Sequence, residues 1–357
     1  MLFGIIAFLL VQGAWAQSST SYRPEPTVAA WATIGVAQTP TVSNPAAVIA
    51  QNVCPGYSLS NVQKTDRGLR GSLTLNGSAC NAYGKDYTDV TLSVFYDTET
   101  RLHVTIEDTN NTQYRVPEAL VRIPAPFSSV GDLQYSFNYN ESPFEFWVLR
   151  SDGEVLFDTR GYKLVFETQY LELTTNMEED YNVYGLGEVI HSLRLGNNFT
   201  RTMWAKYIQF NFNLIPSDEA DPIDGNIYGS HPVYFQHKYT NGSSGRNHST
   251  HAVYLRNTNG MDIVLRNTTL QYRAIGGIFD LYFYVGPSPS DVVQQYVSSI
   301  GLPTMHQYWT LGFHQCRWGY HNISDLQNVV QGYKDANIPL ETIWTDIDCY
   351  LHLVLTD

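Results

Sequence analysis

The sequence predicts a mainly β chain, in which a large β-sandwich is followed by a short α/β segment. From about Tyr57 to Val285, short runs of alternating apolar and polar residues are separated by turn residues such as the Asn259-Gly260 pair. No long helical pattern interrupts this region, which favours a sandwich of β-sheets. At Pro287 the spacing of apolar residues becomes helical.

The clearest strand patterns lie in the first and larger part of the chain. They are Gly71–Leu75, Val90–Tyr96, Leu102–Ile106, Phe144–Leu149, Tyr162–Phe166 and Leu281–Val285.

The last part of the chain alternates helices and strands. A helix is predicted over Ser290–Ile300, with Ser-Asp at its N-terminus, and an apolar strand over Trp309–Phe313. A second helix begins at Ser324, and a second apolar strand covers Thr342–Ile347. Strand, helix and strand at this spacing predict a parallel pair of strands. The pattern by itself fits an α/β barrel and a doubly wound sheet equally well.

The N-terminus has the features of a secretion signal. An apolar run from Leu2 to Val11 is followed by Ala14-Trp15-Ala16, and it is shorter than the roughly 20 residues that span a bilayer. We interpret residues 1–16 as a signal peptide and residues 17–53, rich in Ser, Thr, Pro and Ala, as a linker. We expect a secreted, extracellular protein with no membrane anchor.

Cysteines and glycosylation sequons agree with this location. Cys54 and Cys80 flank a short turn-rich segment and are predicted to form a disulfide, whereas Cys316 and Cys349 lie in apolar segments and are predicted to be buried thiols. Asn-x-Ser/Thr sequons predict a glycosylated surface. They occur at Asn76, Asn110, Asn140, Asn198, Asn241, Asn247, Asn267 and Asn322.

Composition narrows the class of ligand. The formal net charge of -13 excludes nucleic acid and anionic membranes as partners. Aromatic residues make up 13% of the chain and fit sugar binding, although most of the 25 tyrosines also suit β-sheets. No cysteine has metal-ligand spacing, and Gly185-Leu186-Gly187 lacks the third glycine and the helix of a dinucleotide site. We therefore expect no metal and no cofactor.

Four segments in order carry a resemblance to a known family. They are YGLGE at Tyr184–Glu188, NIYGSHPVY at Asn226–Tyr234, LGFHQCRWGY at Leu311–Tyr320 and IWTDID at Ile343–Asp348. Together they resemble the α-glucosidases of glycoside hydrolase family 31.

The resemblance implies a domain organisation and a sugar pocket. It implies a galactose-mutarotase-like β-sandwich over residues 54–295 and the start of a (β/α)₈ TIM barrel over residues 296–357, the first strand ending near Cys316 and the second near Asp348. Strand C-termini line the active site of such barrels. The substrate-binding residues that it implies are Asp346 on the glucose hydroxyls, Trp318 and Ile347 in the pocket wall, and Asp218 from a loop of the sandwich.

The resemblance also implies that this chain by itself is inactive. The family uses a nucleophile and an acid/base carboxylate about 5 Å apart, and both lie on later barrel strands, so no catalytic residue is predicted here. Two segments depart from the family pattern. Lys206–Pro216 is an insertion with strand-like alternation, and residues 349–357 are apolar; both resemble faults of a gene model.

The leading hypothesis is an α-glucosidase that acts on non-reducing ends of α-glucosides or malto-oligosaccharides, present here as an N-terminal fragment. The alternative is a secreted, non-catalytic carbohydrate-binding β-sandwich protein. A structural glycoprotein would explain the sequons but not the four ordered motifs. The sequence gives no oligomeric state and no preferred linkage.

Overall fold

The computed structural model describes residues 47–124, 131–204, 223–227, 229–242, 245–346 and 348. The predicted signal peptide, most of the predicted linker, the insertion at 206–216, and the site residues Asp218 and Ile347 lie outside these residues, as does Cys349.

The described residues form mostly β-strands. The strands are β1 (Tyr57–Thr65), β2 (Gly68–Leu75), β3 (Asp89–Tyr96), β4 (Arg101–Asp108), β5 (Tyr135–Asn140), β6 (Glu145–Arg150), β7 (Val155–Asp158), β8 (Val165–Glu167), β9 (Tyr170–Asn176), β10 (Asn182–Gly185), β11 (Phe199–Met203), β12 (Val233–Gly242), β13 (Gly245–Leu255), β14 (Met261–Arg266), β15 (Thr269–Ala274), β16 (Phe279–Tyr284), β17 (His314–Cys316) and β18 (Thr342–Trp344). The helices are α1 (Ala50–Val53), α2 (Pro289–Ile300) and α3 (Ile323–Asp335), with a 3₁₀ turn at Tyr308–Leu311. Among the described residues no helix is long and apolar enough to cross a bilayer.

Three antiparallel sheets make up the first part of the chain. An eight-stranded sheet has the order β1-β2-β3-β4-β16-β13-β12-β10, and a five-stranded sheet has the order β11-β14-β15-β9-β8. The third sheet has three strands in the order β5-β6-β7. The mainly β character predicted from the sequence is therefore confirmed.

One apolar core collects side chains from all three sheets. Leu92 and Leu281 come from the eight-stranded sheet, Leu173 and Leu265 from the five-stranded sheet, and Phe146 from the three-stranded sheet. Successive residues of a strand point to opposite faces. In each sheet, the side chains on one face therefore fill this core, and the side chains on the other face are available for other contacts.

Most predicted strands coincide with observed ones to within one residue, but three do not. Thr342–Ile347 is a strand only over its first three residues, as β18. Only the end of Tyr162–Phe166 belongs to a strand, β8. Trp309–Phe313 is not a strand, because Gly312 N donates to Trp309 O at 2.9 Å and closes a local 3₁₀ turn. The apolar residues alternate there but have no neighbouring strand, and the strand begins one residue later, at His314.

The described chain divides into two compact units after Ile300, a few residues past the predicted boundary. Helix α2 belongs to the first unit, where Val292 packs with Val233 and Tyr284. The second unit contains β17, α3 and β18. In that unit Cys316 is exposed, so the prediction of a buried thiol is wrong.

The predicted disulfide between Cys54 and Cys80 is confirmed, and it joins residues 26 positions apart. In the chain-entropy account, closing a loop of this size stabilises the folded state by about 3–4 kcal/mol. We expect the double variant Cys54→Ser/Cys80→Ser to lose about that much unfolding free energy in urea denaturation. The control Cys316→Ser, at an exposed thiol, should change it by less than about 0.5 kcal/mol. Equal stability of the two variants would contradict this assignment.

The second unit leaves much apolar surface in water. Leu302, Met305, Tyr308 and Leu311 are at least 75% exposed, and of its described apolar side chains only Tyr320 and Leu326 are buried. Apolar burial supplies most of the stability of a fold, so this unit has little of its own.

We expect chymotrypsin to cleave first within the segment C-terminal to Ile300, where exposed aromatic residues are abundant. The resistant fragment should contain the three antiparallel sheets. Mass spectrometry of a time course identifies the fragment. Slow amide exchange across β17 and β18, or first cleavage inside the antiparallel sheets, would contradict the expectation.

Candidate functional site

The second unit is a strand–helix–strand element whose two strands are parallel. His314 pairs with Thr342 and Cys316 pairs with Trp344. The predicted parallel pairing is confirmed, and β17 ends at Cys316 as expected. Because parallel strands run in the same direction, the segments that follow Cys316 and Trp344 leave from the same edge of the sheet.

Helix α3 is fixed at both ends by local hydrogen bonds. At its start Asn322 Oδ1 accepts from Asp325 N at 3.0 Å, and Asp325 Oδ2 accepts from His321 N at 2.9 Å. At its end Asn337 has a φ of 54°, and Ile338 N donates to Tyr333 O at 2.9 Å. This is the Schellman arrangement, which needs a left-handed residue after the helix. Capping therefore sets the length of the connection between the strands.

Two of the predicted sugar-binding residues lie at this common edge. Trp318 follows β17 and is 53% exposed, and Asp346 follows β18, is exposed and has a φ of 61°. Asp348 Oδ2 accepts from Gly319 N at 2.7 Å and ties the two strand-end segments together. The structure thus brings the neighbourhoods of Trp318 and Asp346 to one edge, and it gives Asp348 a structural contact. An exposed aromatic side chain and a carboxylate at one edge are suited to stacking on a sugar ring and accepting from its hydroxyls.

A small polar network holds the strands beneath this edge. Trp344 Nε1 donates to His314 Nδ1 at 3.0 Å, and His314 Nε2 lies 2.9 Å from Thr310 O. These two contacts require the neutral His314 tautomer with its proton on Nε2. Gln315 bonds the hydroxyl of the buried Tyr320 at 3.2 Å.

In the first unit, the YGLGE and NIYGSHPVY motifs contact each other. Glu188 N donates to Gly229 O at 2.9 Å, and Gly229 N donates to Glu188 Oε2 at 2.8 Å. His231 N donates to Gly187 O at 2.8 Å. Two motifs about 40 residues apart in sequence therefore form one paired loop.

Arg201 is a buried cation that supports this loop and that sequence reasoning missed. Its side chain is fully buried, and it donates to Leu186 O at 2.7 Å, to Glu188 O at 2.6 Å and to Thr202 O. Burial lowers the pKa of Arg201 to about 10, so the guanidinium stays charged at neutral pH. The sequence did contain a sign of this burial. Arg201 alternates with Phe199 and Met203 in β11, so its side chain lies on the same buried face of the strand as theirs.

The sequon residues are mostly at the surface. Asn76 is half-buried, and its Oδ1 accepts from Ser58. Asn241 and Asn247 pair in backbone register with Arg246 and Thr240 on the β12–β13 hairpin. The exposed ones are Asn110, Asn140, Asn198, Asn267 and Asn322.

Among the described residues, one cluster has the spacing of a metal site: Cys54, Cys80 and Glu167. The two sulfur atoms are bonded to each other, so they are not available as thiolate ligands. Glu167 instead accepts from Ala82 N at 2.6 Å and from Tyr83 N at 2.8 Å. The cluster is structural.

Comparison with known proteins gives consistent matches. Residues 303–354 match the family described as the glycosyl hydrolases family 31 TIM-barrel domain. An α-glucosidase of Schizosaccharomyces pombe is 50% identical over 309 residues, which are 83% of this chain and 31% of that protein. An α-glucosidase of Aspergillus niger is 43% identical over 360 residues, with 92% of this chain and 35% of that protein covered. The chain thus spans about a third of the length of the curated relatives it matches.

Solved structures agree in fold. The glucosidase II α subunit, in its Tris-bound form, superposes with a TM-score of 0.60 at 16% identity and covers 83% of this chain and 39% of its own. A Flavobacterium johnsoniae GH31 dextranase complexed with glucose gives 0.56 at 18% identity, covering 83% and 34%.

The comparisons agree on the class of protein that this chain is similar to, the glycoside hydrolases. More particularly, residues 303–354 match glycoside hydrolase family 31, and the chain is similar to about a third of the length of two α-glucosidases.

Removing the Arg201 fork should destabilise the first unit strongly. We expect Arg201→Met to cost about 3–5 kcal/mol of unfolding free energy, because the buried carbonyl of Leu186 and the partly buried carbonyls of Glu188 and Thr202 lose a charged donor. Arg201→Lys should cost less unfolding free energy, since a cationic hydrogen-bond donor group is kept. The control is Arg194→Met, whose partly exposed ion pair with Asp180 should contribute less than about 1 kcal/mol. Urea denaturation measures all three, and similar losses for residues 201 and 194 would contradict the role of Arg201.

Proposed function

We propose that this chain forms the N-terminal sandwich and the start of the catalytic barrel of an α-glucosidase that releases non-reducing terminal glucose from α-linked glucosides or malto-oligosaccharides. The observation that carries the proposal is the parallel pairing of β17 and β18, which sends Trp318 and Asp346 from one edge of the sheet. The identity of 50% to an α-glucosidase supports the substrate class.

The proposed roles follow from the chemistry of the side chains. Asp346 accepts hydrogen bonds from two glucose hydroxyls, and Trp318 excludes water from one face of the ring. We propose Ile347 and Asp218, which lie outside the described residues, as further sugar-binding residues. The nucleophile and the acid/base belong to the part of the longer relatives that this chain does not span.

We further propose that the protein is secreted and glycosylated. The Cys54–Cys80 disulfide supports an oxidising compartment. The exposed sequons, such as Asn110 and Asn140, support glycosylation.

A chimeric enzyme tests the proposed activity. The segment of the S. pombe α-glucosidase that aligns with this chain is replaced by the chain, and hydrolysis of maltose and an aryl α-glucoside is measured. We expect an active chimera, in which Asp346→Asn lowers kcat/KM about 10- to 100-fold because a charged acceptor of the sugar hydroxyls is lost.

The matched control is Asp335→Asn, at the exposed end of α3, which should change kcat/KM by less than about two-fold. The purified 357-residue chain, assayed in parallel, should show no turnover above a mock purification. A secreted, folded but inactive chimera would overturn the proposed activity, and equal effects of the two aspartate variants would overturn the role of Asp346.

A further inference from the structure

The outer face of the five-stranded sheet is polar and regular. Apolar residues of β9, β14 and β15 other than Val264 point into the core, so the alternate residues, Val264 among them, point away from it. Strand register places Thr202 beside Asp262, Asp262 beside Arg273, and Arg273 beside Glu172. A row of hydrogen-bonding side chains therefore crosses four strands.

Two depressions on this face share three lining residues, and together they are called the groove. The first has a volume of about 570 Å³ and the second about 710 Å³, and both are lined by Thr202, Asp262 and Arg273. Each volume lies in the range of roughly 300–1,000 Å³ typical of small-molecule sites. From Thr200 in β11 to Trp204, the residue that follows this strand, the groove spans four residues, or about 13 Å at ~3.3 Å per residue. It therefore has room for more than one pyranose ring.

Aromatic side chains line one end of the groove. Trp204 is 49% exposed and Tyr83 is 44% exposed, and the ring of Tyr83 lies 4.8 Å from that of Tyr170. Gly260 keeps the floor open, since a Cβ there would lie 3.3 Å from Ile275 Cδ1. Broad aromatic faces beside an open floor suit the apolar faces of sugar rings.

This aromatic end is held rigidly. The backbone N–H of Tyr83 donates to the fully buried Glu167 at 2.8 Å, and the Tyr83 hydroxyl donates to Val48 O. The Cys54–Cys80 disulfide anchors the chain three residues before Tyr83. A platform that is already ordered loses little conformational entropy when a ligand binds.

The remainder of the groove offers both donors and acceptors. Asp262 Oδ1 accepts from Thr202 Oγ1 at 2.6 Å, and Arg273 Nε donates to Gln271 Oε1 at 2.6 Å. Gln271 Nε2 donates to Thr174 Oγ1 at 2.9 Å. Sugar hydroxyls both donate and accept, so a row of carboxylate, guanidinium, amide and hydroxyl groups matches a neutral oligosaccharide.

We propose that this groove is a second sugar-binding site, which holds an α-linked gluco-oligosaccharide on the outer face of the five-stranded sheet. The choice of an α-glucan as ligand rests on the proposed function. The assignment of the groove as a sugar site rests instead on its aromatic and polar lining. Such a site raises the local concentration of a polymeric substrate near the enzyme.

The probe is maltoheptaose, titrated by calorimetry into the secreted 357-residue chain before and after enzymatic removal of N-glycans. Both preparations are needed because Asn198, a sequon residue, lines the second depression. We expect binding in at least one preparation and at least about 10-fold weaker binding of cellohexaose, whose β-linkages give a different chain shape. Binding in neither preparation overturns the proposal, and equal or tighter binding of cellohexaose overturns the α-glucan assignment.

Variants locate the bound sugar. Trp204→Ala and Arg273→Gln should each weaken maltoheptaose binding about 10-fold or more, and Trp204→Phe should restore most of the loss. Tyr114→Ala, at a 52% exposed tyrosine that does not line the groove, is the control and should leave the affinity unchanged. Unchanged thermal unfolding of Arg273→Gln, a surface change, shows that the fold is intact.

Trp318→Ala separates this proposal from the proposed function. Loss of maltoheptaose binding in Trp318→Ala, with binding kept in Trp204→Ala, places the sugar at the β17–β18 edge and overturns the groove. The opposite pattern supports the groove even if the chimeric enzyme is inactive.

Discussion

The burial of one face of each sheet in a shared core is the constraint on which the rest of the first unit depends. Because successive side chains of a strand point to opposite faces, a sheet whose apolar side chains face the core has its remaining side chains on the opposite face. The inward residues of β15, Leu270, Tyr272 and Ala274, are almost completely buried, and the polar residues between them form the outer face. The same alternation that holds the sheets together therefore also forms the groove that is proposed to bind sugar.

Arg201 is one exception to this alternation, and its position has a structural consequence. It is a charged residue on the inward phase of β11, and its fork reaches the carbonyls of Leu186 and Glu188. A buried charge is tolerated only where it is fully hydrogen-bonded. The shape of the YGLGE loop, and through Glu188 that of its partner loop, is thus set by the need to satisfy one guanidinium.

Period and local chemistry made much of this structure predictable. The strand patterns at Val90–Tyr96 and Leu102–Ile106, the helix at Ser290–Ile300 and the disulfide all rest on signals within a short stretch of sequence. The strand predicted at Trp309–Phe313 was wrong, because alternation of apolar residues gives a strand only where a neighbouring strand can pair with it. The groove could not be predicted, since it depends on the register of four strands that are far apart in sequence.

The candidate glucose site illustrates how stability and function are divided between the two units. The first unit has a large core, whereas Trp318 and Asp346 belong to a unit whose strands are three residues long and whose described apolar side chains are mostly exposed. Local hydrogen bonds, such as the one from Gly319 N to Asp348, hold its strand ends. Ligand-binding segments are commonly drawn from the least stable part of a fold. A glucose held between an aromatic ring and a carboxylate would add contacts at this edge, so that binding and the ordering of the edge stabilise each other.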